Sequence, residues 1–302
     1  MASLVDNAAV QGSQAHDAPA AAPAAAPGAA GNPVPDAAGR PAPDAAPHPF
    51  HTLALTMSYN GLHFSGFAQQ PGQPTVQGSL NNALRILYRR QVETTCAGRT
   101  DAGVHAKGQV VSFDVSPSEL QGRPLPGLLR SLNALIDDNA AILAIEERAP
   151  GFSARFDARS REYRYLIATG EARPVLLADR VWHLGRPLDL EAMRDAAAYL
   201  IGEHDFKSFC KAVSAQDKPT NRKVMQIAVE EECLMGENLV VIKVVGNAFL
   251  HSMVRTIVGT MVAIGLGNRP ARWAQDVLLA CDRRAAGQTA PAHGLVFWQV
   301  SY

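Results

Sequence analysis

Apolar and polar residues alternate along residues 52–59, which places Leu53, Leu55 and Met57 on one face and predicts a half-buried strand. Residues 76–89 instead carry apolar side chains at helical spacing, which predicts an amphipathic helix. The same two periodicities predict further strands at 92–97, 109–115, 140–146, 162–168, 224–231, 239–245 and 295–300. They predict further helices at 125–135, 188–201, 248–265 (with Asn247 as its N-cap) and 272–280.

The order of these elements indicates an α+β protein with two similar halves. A strand, a helix and two strands occur before residue 150, and strands and helices recur in a different order after residue 160. Grouped strands with interspersed helices favour antiparallel sheets that carry helices on one face. We therefore divide the chain into a tail (1–49), an N-terminal α/β domain (50–155) and a C-terminal α/β domain (156–302).

The tail differs from the rest in composition. It is dominated by Ala, Pro, Gly and Asp. Such a segment cannot bury enough apolar surface to offset its ordering entropy, so we expect it to be disordered. Its four Asp residues and one Arg give the tail a net charge of −3. Residues 50–302 therefore carry a net charge of +3, because the formal net charge of the whole chain is zero. A charge of this size does not by itself indicate nucleic-acid binding.

The basic residues are clustered, and their distribution is more informative than the total charge. Residues 207–223 carry an excess of four positive charges, and residues 155–164 an excess of two. Each cluster is either a solvated face or, with the Phe and Tyr residues interleaved among them, part of a nucleic-acid surface. The sequence leaves both interpretations open.

The cysteines and the hydropathy exclude several classes of protein. Cys96, Cys210, Cys233 and Cys281 show no paired spacing, which argues against a zinc site or a disulfide framework and is typical of the reducing cytoplasm. No apolar run is long enough to span a bilayer, so we expect no membrane association.

The strongest candidate for chemistry is the glycine-flanked turn at 98–105, which carries Arg99, Asp101 and His105 between two β-prone runs. Loops that join rigid strands often present reactive side chains. Asp101 is either a nucleophile beside a cation or a turn residue that bonds its own backbone. His105 is either an acid–base group or a residue that orders the turn. A lone carboxylate does not match the paired acids of glycoside hydrolysis, and it suits a leaving group such as a nucleobase anion.

Two other places could contribute to such a site. Tyr163 and Tyr165 share one face of a predicted strand, where a tyrosine either stacks on a base or packs in the core. Arg255 lies among apolar residues, four positions after His251 on a predicted helix. A buried Arg needs a partner, so Arg255 either reaches solvent or pairs with Asp101 across a cleft between the halves.

Four blocks of sequence, in this order, point to one family. They are Gly98-Arg99-Thr100-Asp101-Ala102-Gly103-Val104-His105, then Phe152-Ser153-Ala154-Arg155-Phe156 leading to Tyr163-Arg164-Tyr165, then Asp205-Phe206-Lys207-Ser208-Phe209, then Asn247-Ala248-Phe249-Leu250-His251-Ser252-Met253-Val254-Arg255. Together they cover nearly all of residues 51–302 and resemble the bacterial tRNA pseudouridine synthase A family. The chain departs from that family at Asn60-Gly61, where Asp-Gly is usual, and at residues 66–70, which lack the common Trp and basic residue.

The resemblance implies an isomerase that converts uridine to pseudouridine at positions 38 to 40, in the anticodon stem-loop of tRNA. It implies that Asp101 is the catalytic nucleophile or assists removal of a sugar proton, and that Arg255 is its basic partner. It implies that Tyr163 stacks on the base and that Arg99 positions or flips the target nucleotide. It also implies two ferredoxin-like α/β domains whose antiparallel sheets join into one extended sheet with helices on one face, a homodimer, and no cofactor or metal.

Two other functions remain compatible with the sequence. One is a non-catalytic tRNA-binding or tRNA-folding protein on the same fold. The other is an N-glycosidase that releases the base.

Overall fold

A ten-stranded sheet runs through the part of the chain that the computed structural model describes, which is residues 50–302 apart from 213–215 and 217–218. The predicted disordered tail at 1–49 lies outside the described residues. The strands are β1 (His51–Tyr59), β2 (Thr95–Cys96), β3 (His105–Val115), β4 (Ala140–Arg148), β5 (Ser160–Ala168), β6 (Trp182–His183), β7 (Gly202–Asp205), β8 (Asn221–Leu234), β9 (Glu237–Gly246) and β10 (Leu295–Ser301). The helices are α1 (Val76–Tyr88), α2 (Pro117–Leu120), α3 (Leu125–Asn133), α4 (Leu190–Leu200), α5 (Met253–Gly265) and α6 (Trp273–Ala280).

The strand order is β4-β1-β3-β10-β5-β9-β8-β7, with β2 added to β3 and β6 to β5. Strands of the first half thus occupy one side of the sheet and strands of the second half the other. They meet where β10 pairs in parallel with β3, through Val296 with His105 and Phe297 with Ala106. The other neighbours along this order are antiparallel. The predicted α+β class, with antiparallel sheets joined into one extended sheet, is confirmed.

One large hydrophobic cluster extends through both halves. It contains the predicted inward faces of β1 and α1, where Leu53, Leu55, Leu80 and Leu84 are fully buried. Helix α5 belongs to the same cluster, and eleven of its thirteen residues are buried. Because α5 is buried on nearly every side, the polar residues at its start are held in fixed positions. None of the helices in the described residues is long and apolar enough to cross a membrane.

The strands around the 98–105 turn differ from the prediction. The strand expected at 92–97 is only Thr95–Cys96, and the strand expected at 109–115 begins earlier, at His105. Its early residues are recruited by pairing with β10, which comes from the far end of the chain. Pairing with a distant strand leaves no signal in the local pattern of residues, so the sequence did not predict this extension.

The start of α5 also differs from the prediction. The helix begins at Met253 with Ser252 as its N-cap residue, whereas Asn247 was expected to cap a helix from residue 248. The Asn247 side chain instead accepts a hydrogen bond from the backbone N–H of Lys223. Ser252 adopts a left-handed conformation (φ 60°), which is uncommon for residues other than glycine. The chain therefore turns sharply just before α5, and this turn faces the loop that carries Asp101.

The structure also contains two short strands that were not predicted, and it defines the turn of one hairpin. The hairpin between β8 and β9 turns at Met235 and Gly236, both with positive φ. The strands β6 and β7 are too short to show a periodic pattern in the sequence.

Candidate active site

The loop that carries Asp101 is closed by its own backbone and interlocked with a second loop. The backbone N–H of Val104 donates to the carbonyl of Asp101 (3.1 Å), and that of Gly103 donates to Gly61 (3.2 Å). Gly103 has φ +78°, so a glycine suits this turn, and a Cβ on Gly61 would lie 2.0 Å from the Val104 carbonyl oxygen. The glycine of the Asn60-Gly61 pair is therefore required for the two loops to approach each other.

Hydrogen bonds to side chains of the sheet hold the Asp101 loop in place. The buried Thr100 hydroxyl contacts the Tyr59 hydroxyl at 2.8 Å. Gln109 of β3 donates to the Gly98 carbonyl at 2.6 Å. Burial raises the pKa of Tyr59, so its hydroxyl stays protonated and available for this network. The carboxylate that follows Thr100 is thus carried by a loop with little freedom to move.

The Asp101 carboxylate is held by three side chains from the other half of the protein. Ser252 Oγ donates to Oδ2 at 2.8 Å, and Nη1 of Arg255 donates to the same oxygen at 3.0 Å. Nε2 of His251 lies 3.2 Å from Oδ1. The Asp101 side chain keeps 23% of its surface exposed. The ion pair predicted between Asp101 and Arg255 is therefore present, and part of the Asp101 side chain remains accessible to solvent.

Arg255 is itself positioned by the segment that follows α6. Its Nε donates to the Ala290 carbonyl at 2.8 Å, and the backbone N–H of Ala290 donates back to the Arg255 carbonyl. This segment lies directly against α5, because a Cβ on Gly259 would be 1.7 Å from the Gln288 carbonyl oxygen. With a side chain only 18% exposed, Arg255 does not extend into solvent. Its guanidinium group is aimed at the carboxylate by the fold.

Tyr163 lies beside this centre in a nearly closed aromatic group. Its ring makes edge-to-face contacts with Phe249 (centroids 5.2 Å apart) and Phe297 (4.9 Å), and only 7% of its surface is exposed. Burial raises the pKa of the Tyr163 hydroxyl, and the nearby Asp101 charge raises it further. A Cβ on Gly98 would lie 3.0 Å from the Phe297 ring and 3.6 Å from the Tyr163 hydroxyl oxygen. Glycine is therefore needed at position 98 because a side chain would have too little room there. The reason is not the backbone conformation, since the φ of Gly98 is not positive.

Arg99 is placed differently from its neighbour in sequence. Its side chain is exposed and makes no hydrogen bond or ion pair with another residue of the described ranges. The cation that pairs with Asp101 is Arg255, although Arg99 is only two positions away in the sequence. Arg99 is thus available to a ligand that approaches the Asp101 loop.

His105 and Cys96 have structural environments. His105 is 3% exposed; its Nδ1 accepts from the backbone N–H of Gly61 (3.2 Å), and its Nε2 lies 3.0 Å from the Asp179 carbonyl oxygen. Burial lowers the pKa of His105, so the neutral ring orders the turn rather than exchanging protons. Burial raises the pKa of Cys96 to about 11, which keeps it a thiol.

Arg161 belongs to the basic cluster at 155–164, but its role inside the protein was not predicted from the sequence. Arg161 is 8% exposed and donates to backbone carbonyls only. The acceptors are the carbonyls of Ala97, Arg155, Ala158 and Asn247. One guanidinium group therefore ties the strand before the Asp101 loop to the segment before α5. The alternation in β5 places Arg161 on the same face as the two buried tyrosines. This pattern was the sequence signal from which the burial of Arg161 could have been predicted. Residues 217 and 218 of the other cluster lie outside the described residues.

Comparisons with known proteins agree with this geometry. A family model described as tRNA pseudouridine synthase matches residues 55–157 and 196–302. The tRNA pseudouridine synthase A of Brevibacillus brevis is 42% identical over 83% of this chain and 99% of its own length. The proteins of the same name from Pseudomonas aeruginosa (41%, covering 83% and 85%) and Frankia casuarinae (43%, covering 83% and 89%) are similarly related. These matches extend over both sides of the site, including the loop of Asp101 and the start of α5, and the chain belongs to the tRNA pseudouridine synthase family.

Proposed function

We propose that this isomerase converts uridine to pseudouridine at positions 38 to 40 of the anticodon stem-loop of tRNA, with Asp101 as the nucleophile. The main support for the proposal is the hydrogen bonding and the remaining exposure of the Asp101 side chain. Two donors, Ser252 and Arg255, both hold Oδ2, while part of the side chain remains exposed. The two hydrogen bonds fix the position of the Asp101 side chain, and a fixed carboxylate can attack an electron-poor sugar carbon.

The substrate must be brought to this carboxylate by leaving its stack in the RNA. Extruding a nucleotide costs a few kcal/mol. Arg99, which is exposed and unpaired within the described residues, would occupy the gap or hold the backbone of the extruded nucleotide. Tyr163 would contact the uracil ring from the aromatic group behind Asp101. Arg255 would keep the carboxylate aligned throughout.

The reaction is an isomerisation and is balanced without a further reactant. The bond between N1 of uracil and C1′ of ribose breaks as an Asp101 oxygen bonds to C1′, which leaves a uracil anion. The uracil then rotates, C5 bonds to C1′ as the bond to Asp101 breaks, C5 loses its proton and N1 gains one. Exclusion of water during the rotation separates this outcome from hydrolysis.

Three further parts of the proposal concern organisation. We propose that residues 50–155 and 156–302 form two ferredoxin-like domains, which is supported by the division of the sheet on either side of the β3–β10 junction. We propose that the enzyme acts as a homodimer, as the resemblance implies, and that it works in the cytoplasm, where its tRNA substrate is found. Light scattering of the purified chain tests the dimer.

Release of tritium from C5-labelled uridine in unmodified tRNA tests the chemistry. We expect release with the RNA chain intact, and pseudouridine mapped to positions 38 to 40. Binding without release would indicate a non-catalytic tRNA-binding protein, and free uracil would indicate an N-glycosidase.

The Asp101→Asn variant tests the role of the carboxylate. We expect it to lose turnover and to keep tRNA binding within a few-fold of the wild type, since the amide preserves the shape but not the nucleophile. A matched control is Asp276→Asn, which neutralises an exposed carboxylate on α6. Near-normal turnover of Asp101→Asn would remove Asp101 from the reaction.

A further inference from the structure

An exposed aromatic side chain stands on a rigid turn at residues 153–157. Phe156 keeps 44% of its surface exposed, and the Arg155 guanidinium carbon lies 5.3 Å from the centre of its ring. The turn is closed at both ends, because the Ser153 N–H donates to the Asp157 carboxylate (2.8 Å) and the Asp157 N–H donates to the Ser153 carbonyl (3.1 Å). The Phe156 N–H donates to the Ser153 hydroxyl. The ring is therefore presented to solvent on a backbone with little freedom.

This turn is anchored to the elements that carry the active site. The Ala154 N–H donates to the Ser112 hydroxyl of β3 (3.0 Å), and the Tyr302 hydroxyl donates to the Ala154 carbonyl (2.9 Å). Arg161 donates to the Arg155 carbonyl and, through Nε, to the Ala97 carbonyl just before the Asp101 loop. The position of the Phe156 ring is thus fixed relative to the loop of Asp101.

Besides the Asp157 carboxylate, which is held by the Ser153 N–H, the charged groups of this region are two arginines. Arg99 and Arg155 are both exposed and lie near the same residue, Cys96, where their charges partly offset the rise that burial causes in the pKa of the thiol. Within the described residues, neither guanidinium group is engaged by a carboxylate. The exposed Phe156 ring, with Arg155 against it, therefore lies in the same region of the protein as Arg99 of the Asp101 loop.

We propose that Phe156 and Arg155 form a stacking subsite for a second unpaired nucleotide of the tRNA, separate from the uridine that reacts at Asp101. An isolated exposed Phe is ordinary on a protein surface. A rigid ring with an arginine against it and a second unpaired arginine nearby has the composition with which proteins bind single-stranded nucleotides, since every base offers a face to stack on and a phosphate to pair. The inference rests on the proposed function, because it takes tRNA as the ligand.

The test pairs variants of Phe156 with tRNA transcripts that each lack one base in the anticodon loop. We expect Phe156→Ala to weaken binding of intact transcript by about 5- to 20-fold, at the lower part of the range for loss of a base–aromatic stack. Phe156→Trp should restore binding and Phe156→Leu should not, because stacking needs an aromatic ring. The matched control is Tyr199→Ala on α4, which removes an aromatic ring with 39% exposure and should leave binding unchanged.

The abasic transcripts identify the nucleotide. At one position, removal of the base should weaken wild-type binding and abolish the difference between wild type and Phe156→Ala. If the effects of Phe156→Ala and of base removal on binding were independent at every position of the loop, the proposal would be overturned. Full binding by Phe156→Leu would overturn it as well. A change in oligomeric state on light scattering would also overturn it, since Phe156 would then be a contact between subunits. Absence of pseudouridine formation by the wild type would instead count against the proposed function.

Discussion

Replacement of Arg255 by methionine tests whether the site depends on an ion pair between the two halves. The change removes the cation that holds Asp101 at 3.0 Å and the Nε donor to the Ala290 carbonyl, while it keeps a side chain of similar length. Ser252 and His251 remain as neighbours of the carboxylate. The variant therefore leaves a partly buried Asp101 without its guanidinium partner.

The expected loss of stability follows from the exposure of the pair. Arg255 is 18% exposed and Asp101 23%, so the pair lies between a surface ion pair, which contributes about 0.2–1 kcal/mol, and a buried pair, whose breaking costs about 3–5 kcal/mol. We expect the free energy of unfolding to fall by about 2 kcal/mol for the pair. The lost hydrogen bond to Ala290 adds about 1 kcal/mol.

A double-mutant cycle in urea measures the pairing directly. Arg255→Met, Asp101→Asn and the double variant are compared with the wild type, and we expect a coupling of about 1–2 kcal/mol between the two sites. The same cycle on Arg272 and Asp276, an exposed pair 3.9 Å apart at the start of α6, is the control and should show no measurable coupling. Tritium release by Arg255→Met should fall by about 100-fold, as expected for a misplaced reacting group. Coupling indistinguishable from zero at Arg255 and Asp101, with an unchanged rate, would mean that the two groups do not meet in solution.

Two other residues give independent tests of the fold around the site. Arg161→Met removes the donor to four backbone carbonyls, and we expect it to lower the free energy of unfolding by about 3–5 kcal/mol. Arg161→Lys should lower it by less. An unchanged melting temperature of the Met variant would contradict the network. Because burial lowers the pKa of His105, the unfolded chain binds its proton more readily, and stability should fall as pH drops below about 6.5. Urea denaturation at pH 7.5 and 5.5 should show a smaller difference in the free energy of unfolding for His105→Gln than for the wild type. An equal difference in both proteins would exclude His105 as the source of the pH dependence.

Local sequence patterns were sufficient for most of the elements and for the loop that carries the carboxylate. The alternation in β1 and the apolar stripe of α1 are properties of neighbouring residues, so they can be read without knowing the fold. The glycine-flanked turn at 98–105 likewise showed Asp101 as the candidate group within a short segment. The resemblance to known enzymes then gave roles to residues whose contacts the spacing could not reveal.

Contacts between distant parts of the chain required the tertiary structure. Arg99, two positions from Asp101, points to solvent, whereas Arg255, which is 154 positions away, holds the carboxylate. Arg161 looked like a surface charge and instead joins three separate segments from inside the protein. A residue's spacing along the chain fixes the face on which its side chain lies, but the partner on that face is supplied by packing of another element. The sequence by itself thus determined most of the elements and the candidate reactive group, and only the tertiary structure decided which residues surround that group.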